Sequence, residues 1–435
     1  MNLPNCDHFA PNKKSLAKAF ELSTEKNRQA FSQCLGNSFR QTVAGIFADP
    51  RRTRTVRQEG HLSATKERIQ ADTAEYILVA QDTTYYNYSG QPAMAGLGKI
   101  QGNSQGIRPH NLLALSETGL PLGLLGQEYW SRESRPPYEG EKESEKWGKG
   151  LAIVKRELGG TGKKVVLMPE READIFAFFQ AERAPGVELL VRVHEPRKME
   201  VRPSGEVAKL AEMRGKLPVV GEKRVVITRQ NKEITLVLAL QGGAVKVLSG
   251  TGEKTQGLAL VSAQEVDSFD SQGQSSFDPQ PRVSWYLLTS LPVTSVLEME
   301  RLTYFYALRW RLEGLHYTLK SGALDVEKRQ FDDLPTTRNA LAFYSVVAWQ
   351  ILAIVYLTRH AQDEAATKCF TAQELTSLAA TSKQPLPTVR AATLALAQRV
   401  GFAPCKRQPL PGIKMLALAL ERFHYLKLGF QANSS

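Results

Sequence analysis

Apolar positions along this chain of 435 residues change their period more than once. Before residue 76 they recur at three- and four-residue spacing in "SLAKAFELSTEKNRQAFSQCL" and "SFRQTVAGIFADP", which predicts amphipathic helices and no long strand. From Tyr76 the pattern shortens, and "YILVAQDTT" reads as a buried strand whose apolar run stops at an acid, Asp82. "HNLLAL", "LPLGLLGQEYW", "KKVVLM" and "ELLVRVH" read as further strands, with the helical "SEKWGKGLAIVKREL" before the third of them. Strands in succession, then alternating with helices, predict an α/β fold with a mixed sheet flanked by helices. Between His194 and about Val296 short strands and turns return in "KRVVITRQNKEITLVLAL", "GAVKVLSGTGEK" and "VSWYLLTSLPV", while "SFDSQGQSSFDPQP" reads as a mobile loop. That block is too long for one connection, so an inserted β subdomain is predicted. Helical spacing resumes at 297–320, 336–359, 372–381 and 387–399, with no internal repeat.

Charge changes the picture next. A formal net charge of +12 makes a polyanion the expected partner, nucleic acid ahead of a membrane, although inert basic proteins share this composition. Cys6, Cys34, Cys369 and Cys405 lie far apart without a C-x-x-C pair, which argues against a zinc site or a disulfide framework and suits a reducing cytoplasm. The start "MNLPNCDHFAPNKK" has no apolar stretch of signal-peptide type, so a cytoplasmic location is expected. "ALAFYSVVAWQILAIVYL", Ala340 to Leu357, is barely long enough to span a bilayer and carries Ser345, Gln350 and two tyrosines, so it reads as a buried helix.

Three charged stretches carry candidate chemistry. In "RRTRTVRQEGH", Arg51, Arg52, Arg54 and Arg57 suit either a grip on DNA or a solvated basic linker. "LMPEREADIF" sets Glu170, Arg171, Glu172 and Asp174 directly after an apolar run. In "YALRWRLEGLHYTLK", a step of about 100° per residue puts Tyr306, Arg309, Glu313, Tyr317 and Lys320 on one narrow polar stripe. Leu308, Leu312, Leu315 and Leu319 occupy the opposite face and must meet a core. Ordinary i,i+4 charge pairing on an amphipathic helix accounts for such a stripe. The alternative comes from three acids together: Asp82 ends one strand, Glu170 follows another and Glu313 rides a helix, the ligand types a two-metal phosphodiester site requires.

These residues fall in segments that resemble, in order along nearly the whole chain, the DDE transposases of the IS4 superfamily and within it the Tn5-like group. "QDTTYYNYSGQ" is similar to the strand of the first Asp, "GIRPHNLLAL" and "LPLGLLGQEYW" to the next two strands, and "KESEKW" to the following helix start. "EREADIFAFF" is similar to the "DREADI" segment, "LLVRVHEPRK" to the basic strand after it, and "WYLLTSLPV" to the end of the β insertion. Tyr306, Arg309, Glu313 and Lys320 fit the Y-x2-R-x3-E-x6-K signature.

The resemblance implies an RNase H-like mixed-sheet catalytic core over residues 73–330 with its β insertion at about 195–296. It also implies an N-terminal helical domain (1–72) that binds element ends, and a C-terminal helical region (331–435) for DNA contacts and pairing of subunits. It further implies that Asp82, Glu170 and Glu313 hold two divalent ions, Mg2+ or Mn2+. Arg309 and Lys320 would grip phosphates, Tyr306 the backbone or a base, and Trp285 a flipped base, although a strand tryptophan also serves a core. Arg192, His194 and Lys198, with Arg51, Arg52 and Arg54, are the further DNA contacts it suggests. The expected activity is cut-and-paste transposition in the cytoplasm, at the bacterial nucleoid. It would proceed through nicking, hairpin formation and strand transfer on double-stranded DNA, by a homodimer assembled on the DNA. Two positions depart from the pattern. Glu170 replaces an Asp, moving the carboxylate by roughly an ångström where such a shift can cost on the order of 10²-fold. Tyr317 stands where the nearest relatives carry a lysine. A chain that binds ends without cutting them, as a repressor or inhibitor, is therefore the rival expectation, and a nuclease of the same fold without joining activity is a third.

Overall fold

The computed structural model describes residues 54–90, 96–130, 144–194, 197–213, 215–229, 232–275, 283–329, 333–406 and 408–432, with Gly45, Phe47, Ala48, Met94 and Phe331 besides. In chain order the elements begin α1 (Arg54–Ala71), β1 (Tyr76–Thr83), β2 (Tyr86–Asn87), β3 (Gly98–Lys99), β4 (Gln105–Leu115), β5 (Pro121–Trp130), α2 (Glu145–Leu158) and β6 (Lys164–Pro169). There follow α3 (Phe176–Gln180), β7 (Val187–Arg192), β8 (Lys198–Val201), β9 (Val207–Lys209), β10 (Val219–Arg229), β11 (Lys232–Val247), β12 (Leu258–Asp270) and β13 (Ser284–Thr289). The last are α4 (Val296–Leu308), α5 (Trp310–Tyr317), α6 (Leu334–His360), α7 (Ala372–Ser382), α8 (Val389–Gln398) and α9 (Ile413–Ala432). Two compact units emerge: one takes the described residues of 1–74, 83–140 and 311–435, the other those of 75–82 and 141–310. The chain passes from one to the other inside β1, after Asp82, and inside α5, after Trp310.

The unit of residues 75–82 and 141–310 is built on a mixed sheet. β1 and β6 run parallel from Tyr76↔Lys164 to Gln81↔Pro169, and β7 continues parallel to β6. β13, β12 and β11 then pair antiparallel in turn, β10 and β8 both pair with β11, and β9 pairs with β8. Ile77, Leu78, Val79 and Ala80 of β1 and Val165, Val166, Leu167 and Met168 of β6 are fully buried, so these strands read as unbroken apolar runs because both faces are covered. The backbone of α2 comes close to β1 at Gly150, where a Cβ would stand 1.9 Å from Gln81 Oε1. α4 begins at a reciprocal cap in which Ser295 Oγ accepts from Glu298 N at 3.2 Å and Glu298 Oε2 accepts from Ser295 N at 3.0 Å.

The other unit contains the antiparallel pair β4–β5, joined through a turn at Gly119 (φ 87°), with β2 and β3 pairing with β4. α6, 27 residues long, packs against β5, α1 and α9. Asp333 caps it by accepting from Thr336 N, and Pro335 sits in the first turn, where a missing N–H costs nothing. Trp349 of α6 donates Nε1–H to Pro121 O at 3.0 Å and carries the Arg68 guanidinium 4.5 Å above its ring.

Among the described residues α6 is the one helix long and apolar enough to cross a membrane, and 94% of its most apolar window is buried inside the protein, in keeping with a core helix. α1 begins at Arg54, so the part of the basic run from Arg54 onward is helical rather than linker. Arg51 and Arg52 lie outside the described residues, as do the helical patches before them apart from Gly45, Phe47 and Ala48. β12 extends to Asp270 and takes Ser268, Phe269 and Asp270 out of the loop expected there. The largest difference concerns the helix expected over 297–320. α4 ends at Leu308, α5 ends at Tyr317, and Thr318–Gly322 winds as a π turn in which Thr318 O accepts from Ala323 N and Leu324 N. A wheel of constant step therefore misplaces Lys320. The four leucines are buried as their spacing requires, but Tyr306 (3% exposed) and Arg309 (6%) are buried too, so the polar stripe is not a solvent face.

Candidate active site

Asp82 and Glu170 each stand one residue past the last paired positions of two adjacent parallel strands, Gln81 of β1 and Pro169 of β6. Paired residues on neighbouring strands lie about 5 Å apart, so the backbone positions of the two acids are neighbours at the sheet's carboxyl edge. The Asp82 carboxylate is buried and accepts from Arg309 Nη1 at 2.9 Å. Arg309 caps the C-terminal end of α4, just after Leu308, and its own N–H returns to Tyr306 O at 3.1 Å. Glu170 is half-buried, and its Oε2 accepts from Glu172 N at 2.9 Å, capping the single 3-10 turn Arg171–Ala173.

An aromatic group lies beside this pair. Tyr306 is packed edge-on against Trp285 of β13, with ring centroids 5.6 Å apart, and Arg309 sits 5.8 Å from its ring centre. Burial pushes the Tyr306 hydroxyl up to about 12, while the charges of Arg309 and Arg192 pull it partly back and that of Glu170 adds to the rise. Arg192 ends β7, opposite Leu287 of β13, and reaches Ser284 O at 3.4 Å. Trp285 itself is half-buried. Asp82, Glu170, Arg192, Trp285, Tyr306 and Arg309 are thus gathered in one unit.

The remaining charged residues after β6 have structural partners. Glu172 pairs with the buried Lys146 at 2.7 Å. Asp174 accepts from His194 N at 2.9 Å and pairs with Arg197 at 2.5 Å; burial raises its carboxyl despite that cation. Arg171, His194 and Lys198 expose their side chains and make no part of the cluster. Arg54 starts α1, with its side chain outside the described residues.

Glu313 and Lys320 belong to the other unit. Glu313 is partly exposed on α5, and His316, one turn on and buried, directs Nδ1 toward its Oε2 at 3.9 Å. Lys320 sits in the π turn with its ammonium 4.2 Å from the ring centre of Tyr85, and desolvation lowers its affinity for a proton against the pull of Glu327 and Glu313. His316 and Tyr85 do not emerge from the polar stripe, yet both have local signals. His316 follows Glu313 at i+3, and Tyr85 follows the first acid in "QDTTYY". The carboxylates offer the hard oxygen donors that Mg2+ or Mn2+ takes, and each carboxylate oxygen has a second lone pair beyond the hydrogen bond described above.

No family model matches the chain. Among solved structures it is similar to the piggyBac transposase in its synaptic complex with hairpin DNA, at a TM-score of 0.39 and 10% identity over 92% of this chain and 77% of that one. A similarity that low leaves the chain's activity to be argued from its own residues.

Proposed function

We propose that the chain is a cut-and-paste DNA transposase of the IS4-superfamily DDE type, here D-E-E, on an RNase H-like core. Asp82, Glu170 and Glu313 are the proposed ligands of two Mg2+ or Mn2+ ions. The observation that supports this reading is the register of β1 and β6, which makes the backbone positions of two acids neighbours at the sheet's carboxyl edge, with a buried arginine on the first. When bound, the ions supply an activated water and a stabilised leaving oxygen for in-line displacement at phosphorus.

The chain's own residues supply the rest. Arg309 holds Asp82 with one nitrogen and adds a positive charge that suits a phosphate. Trp285, braced by Tyr306, offers an aromatic face to an unstacked base, and Lys320 and Arg192 add positive charge for the backbone. Glu313, four residues beyond Arg309, completes the acid set. The reaction order is nicking of an element end, attack of the freed 3′-hydroxyl on the opposite strand to give a hairpin, reopening, and joining to target DNA by a homodimer that pairs two ends.

One observation favours a second reading, a DNA-binding relative impaired in cutting: the longer Glu170 side chain already serves a backbone amide. Duplex fragments from the DNA flanking the coding sequence, incubated with Mn2+ and resolved on denaturing gels, separate the two. Nicking by the unmodified chain that is lost in Asp82→Asn supports the transposase. Nicking only in Glu170→Asp supports the impaired binder. Binding without nicking by every variant, Glu170→Asp included, sinks the catalytic assignment.

A further inference from the structure

We propose that His316 is the positioning residue for Glu313, locked as the Nδ1–H tautomer by a one-way chain of buried amides. The proposal rests on the reading of Glu313 as a metal ligand, but the chain of bonds stands independently of it.

The chain starts from a group whose polarity is fixed. The carbonyl of Ala342 can only accept, so Gln58 turns its amide nitrogen toward it, at 3.1 Å. The same nitrogen gives its second hydrogen to Gln127 Oε1 at 2.7 Å. With its oxygen engaged, Gln127 points its nitrogen at Asn111 Oδ1 (2.6 Å) and at Ser345 Oγ (2.8 Å). Ser345 is free to accept because its own hydroxyl proton goes to Leu341 O at 2.8 Å. Asn111 and Gln127 are partners across β4 and β5, which fixes their approach. Its oxygen taken, Asn111 presents Nδ2 to His316 Nε2 at 3.0 Å.

An NH2 group can only donate, so Nε2 of His316 must carry the lone pair and the ring proton must sit on Nδ1. That proton points toward Glu313 Oε2, 3.9 Å away, a contact that closes to a hydrogen bond by a small rotation or through one water. Reversing any one amide would set donor against donor or oxygen against oxygen. Asn111 (0% exposed), Gln127 (2%) and His316 (5%) are too buried for solvent to relieve the mismatch. The ring thus offers the carboxylate a directed donor, and ligating carboxylates are commonly oriented by such partners.

The test uses the full chain labelled with 15N-histidine, without metal or DNA, its His316 signals assigned by their absence from His316→Asn. The expected spectrum has a proton on Nδ1 and none on Nε2. A proton on Nε2 overturns the proposal, and so does a fully protonated ring at neutral pH. Mn2+ alone, titrated by its electron-spin resonance signal, supplies the second readout. His316→Phe is expected to weaken Mn2+ binding by about 10–100-fold. His316→Asn, whose amide N–H2 falls near the place of Nδ1, is expected to restore most of it. Unchanged affinity in His316→Phe, or no recovery in His316→Asn, refutes the positioning role. If Glu313→Gln leaves Mn2+ binding intact while the tautomer is as expected, the ligand assignment of Glu313 fails and the amide chain does not.

Discussion

Replacing Arg309 by Leu removes the cation from a carboxylate with little water to fall back on. The Asp82 side chain is 10% exposed and that of Arg309 7%, with Nη1 2.9 Å from Oδ2. Breaking a buried pair by deleting one partner typically costs about 3–5 kcal/mol, because the charge left behind is uncompensated. Loss of the Arg309 contact with the Tyr306 ring, at 5.8 Å, adds only about 0.5–1 kcal/mol, so the stranded charge dominates. For a unit of this size each kcal/mol shifts the melting temperature by roughly 2–4 °C, giving an expected drop of about 6–20 °C in scans with EDTA. Asp82→Asn added to Arg309→Leu should recover most of that loss, since it neutralises the stranded group without restoring the arginine. Mn2+ at about one hundred times its dissociation constant adds roughly 2.7 kcal/mol to any form that binds it. That gain should be larger in Arg309→Leu than in the unmodified chain, where the guanidinium competes for Asp82, and should shrink in Asp82→Asn. Arg309→Leu melting within a few degrees of the unmodified chain, or a double variant worse than the single, would refute the premise that the pair balances a buried charge.

Two further outcomes follow from the same unit. Burial raises the Tyr306 hydroxyl from its ordinary value of 10.0 to about 12, so the folded state holds that proton more tightly than the unfolded state does. Its contribution is complete below pH 10 and is lost as pH climbs through about 12; Tyr306→Phe should therefore show the shallower fall in melting temperature over that window, and equal slopes would contradict the burial argument. Gly150→Ala sets a Cβ 1.9 Å from Oε1 of the fully buried Gln81, and overpacking of about 1–3 kcal/mol should outweigh the helix gain of about 0.5–1 kcal/mol. Thermal scans should show net destabilisation, whereas a stabilised variant would mean that Gln81 can turn away.

Much of the scaffold is legible because burial writes itself as runs of one residue class. Ile77–Ala80 and Val165–Met168 are unbroken apolar stretches because both faces of β1 and β6 are covered, and the acids that stop them mark the sheet's edge. The leucine face of "YALRWRLEGLHYTLK" is legible for the same reason. What the local pattern hides is anything set by a distant partner or by an irregular turn. Asp82 and Arg309 are 227 residues apart, so no window of sequence shows that the arginine on the polar stripe is a buried counter-ion. Asp174 finds Arg197, 23 residues on, because the chain after β7 returns past it. The π turn at Thr318–Gly322 has one local marker, Gly322, where a Cβ would stand 2.7 Å from Tyr317 O, but a lone glycine does not announce the number of residues in a turn. The direction of the amides from Gln58 to His316 is invisible to sequence altogether, since it depends on which atom of each amide faces which neighbour.

Glu170 brings these threads to one competition. Its Oε2 caps the turn after β6 through Glu172 N, and a hydrogen bond to a charged group is worth about 1.5–3 kcal/mol. An Asp at this position would be a still better cap, as short acids are at helix starts, so the cap alone does not explain the longer side chain. The extra torsion of Glu lets the carboxylate pivot about the capped oxygen and present the second oxygen at a different distance from Asp82, at a cost in rotamer freedom that Asp would not incur. A divalent ion shared with Asp82 has to hold the carboxylate in one of those positions against that freedom, while Arg309 still draws on the other acid. If the chain cuts DNA, Glu170 must bind metal while keeping its cap, and Glu170→Asp should alter metal affinity more than it alters folding. If the cap has captured the residue, the unmodified chain should bind Mn2+ weakly, and Glu170→Asp should raise both that affinity and nicking.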